Sequence, residues 1–248
     1  MIAGSLSFYL CVMQLIKLKS VDSTNTEARR RVHSSGRMNF AVSAEMQTAG
    51  RGRFNRVWQT PEGNIAVTLV VPRPEQRQDI ASLSLVAGLA IHDALSLYIS
   101  NADIRIKWPN DILVNGAKIS GTLIEADSKA LYIGIGINRV AAPADVPYAT
   151  ATLEQFSKNS ADQILDMLIA RWQDYFELWS GMGFAALKNA YETRMYGLNA
   201  QLTISLDAEK SLTHTGVCRG IDEHGNILLE GRNKGVQPYS YGDILVLD

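Results

Sequence analysis

The sequence predicts an α+β main domain followed by a small C-terminal β-barrel, and three observations predict it. Up to about residue 195, β-branched runs are interspersed with segments of helical period. Asn115-Gly116 sits between two apolar runs, the signature of a tight hairpin inside that part. From about Asn199 the helical period ends, and short alternating runs separated by Gly225-Asn226 and Gly231 take over. With 248 residues, 46% of them hydrophobic, the chain can bury a sizeable core. The expected divisions are residues 1–12 as an N-terminal extension, 13–197 as the main domain and 198–248 as the barrel.

Each element has its own signal. MQLIKLKSV, from Met13, alternates apolar and polar positions as a strand, and Met13 itself could be the biological start. Residues 1–12 are apolar but lack the basic region of a signal peptide and are too short to span a bilayer. Asp22-Ser23-Thr24-Asn25 supplies cap chemistry for a helix through Glu27 to Val32, which Gly36 stops. Phe40 to Glu45 and Asn64 to Val71 read as strands, the second closed by Pro72 and Pro74. Leu85, Leu89, Ala90 and Leu97 place a helix over 83–98. Strands over 104–108, 112–114, 119–126 and 131–138 follow, then an Ala/Pro-rich loop over 140–152. Helices over 161–179 and 184–195 end the main domain, and the barrel takes Leu202 to Leu206, Thr215 to Ile221, Ile227 to Glu230 and Ile244 to Leu247.

Charge and cysteine content narrow the chemistry. Lys+Arg 24 against Asp+Glu 25 leaves a net charge of -1, so a chain-wide footprint for nucleic acid or anionic lipid is absent. Two cysteines, Cys11 and Cys218, make neither a disulfide framework nor a zinc site, which fits a reduced, cytoplasmic setting. Any phosphate chemistry has to come from a local cluster of cations.

Gly50-Arg51-Gly52-Arg53-Phe54-Asn55-Arg56-Val57-Trp58 is such a cluster. Alternating glycines let backbone N–H groups converge on an anion, and three arginines within six residues add permanently charged bidentate donors. Trp58 adds a flat face for stacking. A solvated basic loop and an RGG-type RNA contact are the competing readings, although a single copy between strands is unlike a disordered RGG repeat. Lys107-Trp108-Pro109-Asn110-Asp111 sets a lysine and an Asn-Asp pair around a bend, suited to a nucleotide phosphate and its magnesium, and Lys118 returns toward it on the far arm of the hairpin. Gly134-Ile135-Gly136-Ile137-Asn138 puts two glycines on one strand face, open to close approach by a ligand or another backbone. Ser23, Thr24, Asn25 and Gln47 would together suit a small neutral ligand with amide-like donors and acceptors. No metal site built from protein side chains alone is expected.

Taken in order, Ser23-Thr24-Asn25, Gln47 with Gly50-Arg51-Gly52-Arg53, Lys107-Trp108-Pro109-Asn110-Asp111, Lys118 and Gly136-Ile137-Asn138 resemble the biotin–protein ligase family, from about Leu15 to the C-terminus. The tail segment GVCRGIDEHGNILLE, from Gly216, is similar to that family's small barrel. The resemblance implies a mixed sheet flanked by helices, like that of class II aminoacyl-tRNA synthetases. It further implies ATP-dependent formation of biotinyl-5′-AMP, then transfer of biotin to a lysine of a carboxylase's biotin carboxyl carrier domain. By that match Arg51, Lys118 and Asp111 are catalytic, with Lys118 on the biotin carboxylate and α-phosphate. Ser23, Thr24 and Gln47 hold the ureido ring, joined in the pocket by Asn25. Gly50, Gly52, Arg53, Arg56 and Lys107 serve the phosphates. Trp58 lies near adenine, and Asn110, Gly136 and Asn138 lie near the nucleotide and magnesium.

The family often follows Gly-Arg-Gly-Arg with Arg-Gly-Arg, whereas Phe54 and Asn55 intervene here, which bears on how tightly the loop closes; Asn55 would take the positive φ of the turn. A lipoate–protein ligase of the same fold is the nearest alternative, and a nonenzymatic biotin-responsive repressor or binding protein another. About twenty residues before Ser23 are too few for a three-helix DNA-binding module, so DNA is not an expected partner, nor is a membrane. The family includes monomers and sheet-to-sheet dimers, so a homodimer is one of two expected states.

Overall fold

The computed structural model describes residues 13–74, 77, 79–232 and 235–245. The expected extension, residues 1–12, and the last two residues of the expected final strand lie outside these.

The main sheet has seven strands: β1 (Gln14–Val21), β2 (Phe40–Gln47), β3 (Ile65–Pro72), β4 (Ile104–Lys107), β5 (Asp111–Val114), β6 (Ala117–Ala126) and β7 (Ala130–Ile137). Their order is β1-β2-β3-β7-β6-β5-β4, mixed because β1 and β2 run parallel while every other neighbouring pair is antiparallel. Asn115 (φ 50°) and Gly116 (φ 80°) make the left-handed pair that closes the β5–β6 hairpin, as their sequence dictates.

The two faces of this sheet are treated differently. On one, Val67, Leu69, Ile133 and Ile135 pack against α2 (Leu83–Ser96) and α3 (Ala161–Met182), a core that takes in the fully buried Trp172 and Trp179. Helix α2 is apolar nearly all round because it lies between the sheet and α3. Helix α3 begins with a reciprocal cap between Ser160 and Gln163. On the other face, Ala28 and Val32 of α1 (Thr24–Ser35) cover only Phe40, Val42, Val70, Ala130 and Tyr132. The rest of that face, carrying Gly134, Gly136, Gly121 and Glu125, is met by polar and loop side chains instead of an apolar helix face.

The second sheet, small and antiparallel, contains β8 (Gln201–Ser205), β9 (Thr213–Ile221), β10 (Ile227–Gly231), β11 (Gly235–Tyr239) and β12 (Asp243–Leu245), in the order β11-β10-β9-β8-β12. It shares the main core through Leu202, Ile204, Cys218, Ile221, Ile227, Leu229 and Ile244. Two polar links reinforce that packing. The buried Trp108 indole N–H donates to the Gly225 carbonyl at 3.0 Å, and the Ile221 N–H donates to Glu192 Oε1 at 3.0 Å.

Three local expectations needed correction. Strand β11 is absent from the sequence reading; it carries Pro238 and sits on the edge of the sheet, where a missing N–H costs no ladder bond. The expected helix over 184–195 is a 3₁₀ turn (Phe184–Ala186) and α4 (Lys188–Glu192). The chain then leaves the helix because Ile106 N–H donates to the Arg194 carbonyl and Tyr196 N–H to the Ile106 carbonyl, adding a bridge beside β4. Ser23 occupies the N-cap of α1, but its side chain makes no capping hydrogen bond.

Candidate active site

The sheet face that α1 covers in part carries two groups of side chains joined by the glycine/arginine loop. The first is neutral and buried. Gln47, at the end of β2, accepts the Thr24 N–H (2.8 Å) and hydroxyl (3.1 Å) on Oε1, while its Nε2 donates to Thr60 Oγ1 at 3.0 Å. Thr68 on β3 donates to Asn25 Oδ1 at 2.6 Å and lies 2.8 Å from the Thr24 hydroxyl. Asn25 Nδ2 donates to Glu125 Oε2 of β6 at 2.9 Å. Gly134 faces Asn25 so closely that a Cβ there would come within 2.5 Å of Asn25 Oδ1. The glycine is thus required by the asparagine rather than by a ligand. Thr24, Asn25 and Thr68 are buried, so their bonds to one another and to Gln47 hold each polar group in one orientation; Ser23 is buried beside them, with its N–H donating to Asp22 Oδ1 at 2.8 Å.

The second group is charged. Register places Ala66, Gly136, Gly121, Asp111 and Lys107 in one row across β3, β7, β6, β5 and β4. The two glycines make a floor, and the Trp58 ring lies on it: a Cβ on Gly136 would meet Trp58 Cε2 at 2.1 Å, one on Gly121 would meet Cζ3 at 3.2 Å. The close approach expected at Gly136 is therefore made by an indole from the loop. At the end of the row Lys118 Nζ is 2.7 Å from Asp111 Oδ1, and Lys107 Nζ is 3.9 Å from Oδ2. Burial pushes the Lys107 ammonium below its ordinary pKa; Asp111 opposes that and Lys118 adds to it. Lys118 also faces the rings of Trp58 and Tyr148 at 5.7 and 5.6 Å.

Lys118, Asn138, Trp58, Tyr148 and Thr150 line a cavity of about 140 Å³. That is well below the roughly 300–1,000 Å³ of typical small-molecule sites. In this conformation the charged side of the site is partly closed by Trp58.

The loop's own bonds make it compact. Trp58 N–H donates to Gly50 O at 3.0 Å and Gly52 N–H to Arg56 O at 2.7 Å. A Cβ on Gly50 would fall 2.3 Å from Trp58 O, so that glycine is required by the loop's closure. The left-handed residue is Phe54 (φ 55°), one position before the expected Asn55. Its ring lies beneath the Arg53 and Arg56 guanidinium groups at 5.1 and 5.4 Å, a contact that helps offset the backbone cost.

Every loop arginine meets a carboxylate. Arg51 Nη2 lies 3.3 and 3.4 Å from the two oxygens of Glu125 and donates to Thr26 Oγ1 at 3.2 Å. Arg53 Nη1 donates to Asp243 Oδ1 (2.6 Å), Gly242 O (3.1 Å) and Asn110 Oδ1 (3.1 Å), and Arg56 reaches Asp243 Oδ2 at 3.2 Å. Asn110 Nδ2 in turn donates to Thr122 O at 2.9 Å. Thr68, Glu125, Tyr148 and Asp243 carry no local sequence signal; sheet register brings the first two here, the loop held by the Lys118–Thr150 bridge brings Tyr148, and the return of β12 brings Asp243.

Comparison with known proteins fits this layout. A family model described as Biotin/lipoate A/B protein ligase family matches residues 18–138. A biotin–[acetyl-CoA-carboxylase] ligase of Paracoccus denitrificans is 35% identical over 230 residues, covering 86% of this chain and 93% of that protein. The chain belongs to the biotin–protein ligase family. The bifunctional ligase/repressor BirA of Escherichia coli K12 is 31% identical over 238 residues, 92% of this chain and 72% of that protein. The biotin protein ligase of Aquifex aeolicus, solved in complex with biotin and ATP, superposes with a TM-score of 0.81 at 28% identity, covering 94% of this chain and 97% of that one. The mixed-sheet catalytic fold and the ligase assignment of this biotin–protein ligase are thereby shown. Among its described residues no helix is long and apolar enough to cross a membrane, and no three His, Cys, Asp or Glu side chains gather as metal ligands.

Proposed function

We propose that this protein joins biotin to ATP, releasing pyrophosphate, and then passes biotin from biotinyl-5′-AMP to one lysine of the carboxyl carrier domain of acetyl-CoA carboxylase or a related carboxylase. The observation that carries this reading is the adjacency, on one sheet face, of a buried neutral hydrogen-bonding wall and a cluster of cations. Biotin has that same division, a neutral ureido head and an anionic tail.

In the first step a carboxylate oxygen of biotin bonds to the α-phosphorus as the bond to the pyrophosphate oxygen breaks. The carboxylate is already ionised at neutral pH, so the task is to bring two anions together. Lys118, Lys107 and the loop arginines supply preorganised positive charge for the pentavalent state. Thr24, Gln47 and Asn25 fix the head, with Ser23 at the same helix start. Asp111 holds Lys118 in place and faces the incoming lysine. In the second step that amine attacks the acyl carbon and AMP leaves with the phosphate oxygen.

Magnesium fits this donor set as an ion that arrives with the triphosphate. Asp111 is a carboxylate beside Lys118 and Asn138 lines the same cavity, so the two would contribute oxygen ligands while phosphate and water supply the rest. The metal would neutralise phosphate charge.

The test is incubation with biotin, magnesium-ATP and a carrier domain, read as a mass shift of the carrier, with lipoate offered in parallel. Biotin-dependent addition at one lysine supports the proposal. Transfer of lipoate in preference to biotin would replace it with the lipoate reading, and no transfer of either would refute ligation.

A further inference from the structure

Glu125 touches both halves of the site. It projects from β6, half-buried, with Oε2 accepting the Asn25 carboxamide at 2.9 Å and both oxygens within 3.4 Å of Arg51 Nη2. Arg29 of α1 approaches the same carboxylate at 3.9 Å. The two partners are held very differently. Asn25 cannot swing, because Thr68 occupies its oxygen at 2.6 Å and Gly134 lies against it. Arg51 is 39% exposed at its side chain, and its remaining hydrogen bond is to Thr26.

The geometry points to Glu125 as a positioning residue with two separable actions: it fixes the Asn25 carboxamide in the biotin wall, and it serves as the resting counter-ion of Arg51. This rests on the proposed function, in which Asn25 faces biotin and Arg51 faces phosphate. A phosphate that recruits Arg51 has to displace or share it with Glu125, so the carboxylate opposes nucleotide binding by the strength of that pair. An exposed pair of this kind is worth up to about fivefold in an equilibrium constant. The Asn25 bond has the opposite consequence. Losing the acceptor leaves the buried Asn25 amide donor unpaired beside biotin, which weakens binding by about tenfold.

The two actions come apart in two substitutions. Glu125→Gln keeps an acceptor for Asn25 but removes the charge; Glu125→Ala removes both. Equilibrium titrations of the full chain, with ATP alone and with biotin alone, read them without turnover, so failure of carrier biotinylation in the proposed-function assay is a separate result. Glu125→Gln is expected to bind ATP about 2- to 5-fold more tightly, with biotin affinity within about twofold of wild type. Glu125→Ala is expected to bind biotin about tenfold more weakly. A purely structural glutamate would shift both affinities together and in step with the melting temperature. Unchanged or weaker ATP binding in Glu125→Gln, or wild-type ATP binding too weak to measure, overturns the inference. If Glu125→Ala fails to fold, the Gln variant alone decides it.

Discussion

The two halves of the site solve opposite problems. The wall of buried Thr24, Asn25 and Thr68 and half-buried Gln47 is uncharged and bonded internally at 2.6–3.1 Å, so it stands ready before any ligand arrives. The side of Arg51, Arg53, Arg56, Lys107 and Lys118 is crowded with like charge, and each cation is held near Glu125, Asp243 or Asp111. A neutral pocket can be preformed cheaply because its groups satisfy one another. A cationic pocket without its anion repels itself, and protein carboxylates stand in. Under the proposed function, biotin would meet a finished surface, whereas a nucleotide would compete with internal acids and with the Trp58 ring on its glycine floor.

The largest expected effect falls on the charged side. Lys118→Ala should lower carrier biotinylation by about 10²- to 10³-fold, measured as initial rate at saturating substrates, because it deletes charge aimed at the reacting groups. Retention of the wild-type rate would remove Lys118 from the reaction.

Next comes the neutral side. Gln47→Ala leaves the Thr24 N–H and hydroxyl without their acceptor, and biotin affinity by calorimetry should fall by about 5- to 100-fold with ATP affinity little changed. Equal losses for both ligands would erase the division between the halves.

Smaller effects belong to the stand-in carboxylates and to burial. Asp243→Asn removes the charge that pairs Arg53 and Arg56 and should tighten ATP binding by about 2- to 5-fold. Lys107→Met should raise the melting temperature at neutral pH by about 2–4 °C while lowering activity, since burial disfavours the charged amine. The sign follows from linkage. A lysine whose folded pKa is depressed binds fewer protons folded than unfolded, between that pKa and its ordinary value. Wild-type stability therefore gains from Lys107 as pH rises through that window, and the Met variant should lack the gain.

What the sequence revealed divides along the same line. The cationic loop, Lys107 to Asp111 and Lys118 were legible because cations and glycines at close spacing have few structural uses. The hairpin at Asn115-Gly116 and the stop at Gly36 were legible because each needs a left-handed residue, and both have one. Thr68 and Glu125 were not, since a threonine in a β-branched strand and a glutamate in an alternating one look like ordinary strand residues; only register sets Thr68 opposite Gly134. Asp243 was invisible for a different reason: it meets Arg53 across 190 residues of chain. The glycines at 134 and 136 were legible as points of close approach by a ligand or another backbone, but it is the side chains of Asn25 and Trp58 that approach them.

The claim that one half is neutral and prebuilt and the other is charge-paired is tested most directly by salt. Affinities would be measured for biotin methyl ester, which presents the neutral head without the carboxylate, and for ATP, between about 0.05 and about 0.5 M salt. The ester's affinity should change by less than about twofold while that of ATP falls by about tenfold or more. Parallel weakening of both ligands, or an ATP affinity indifferent to salt, would contradict the account.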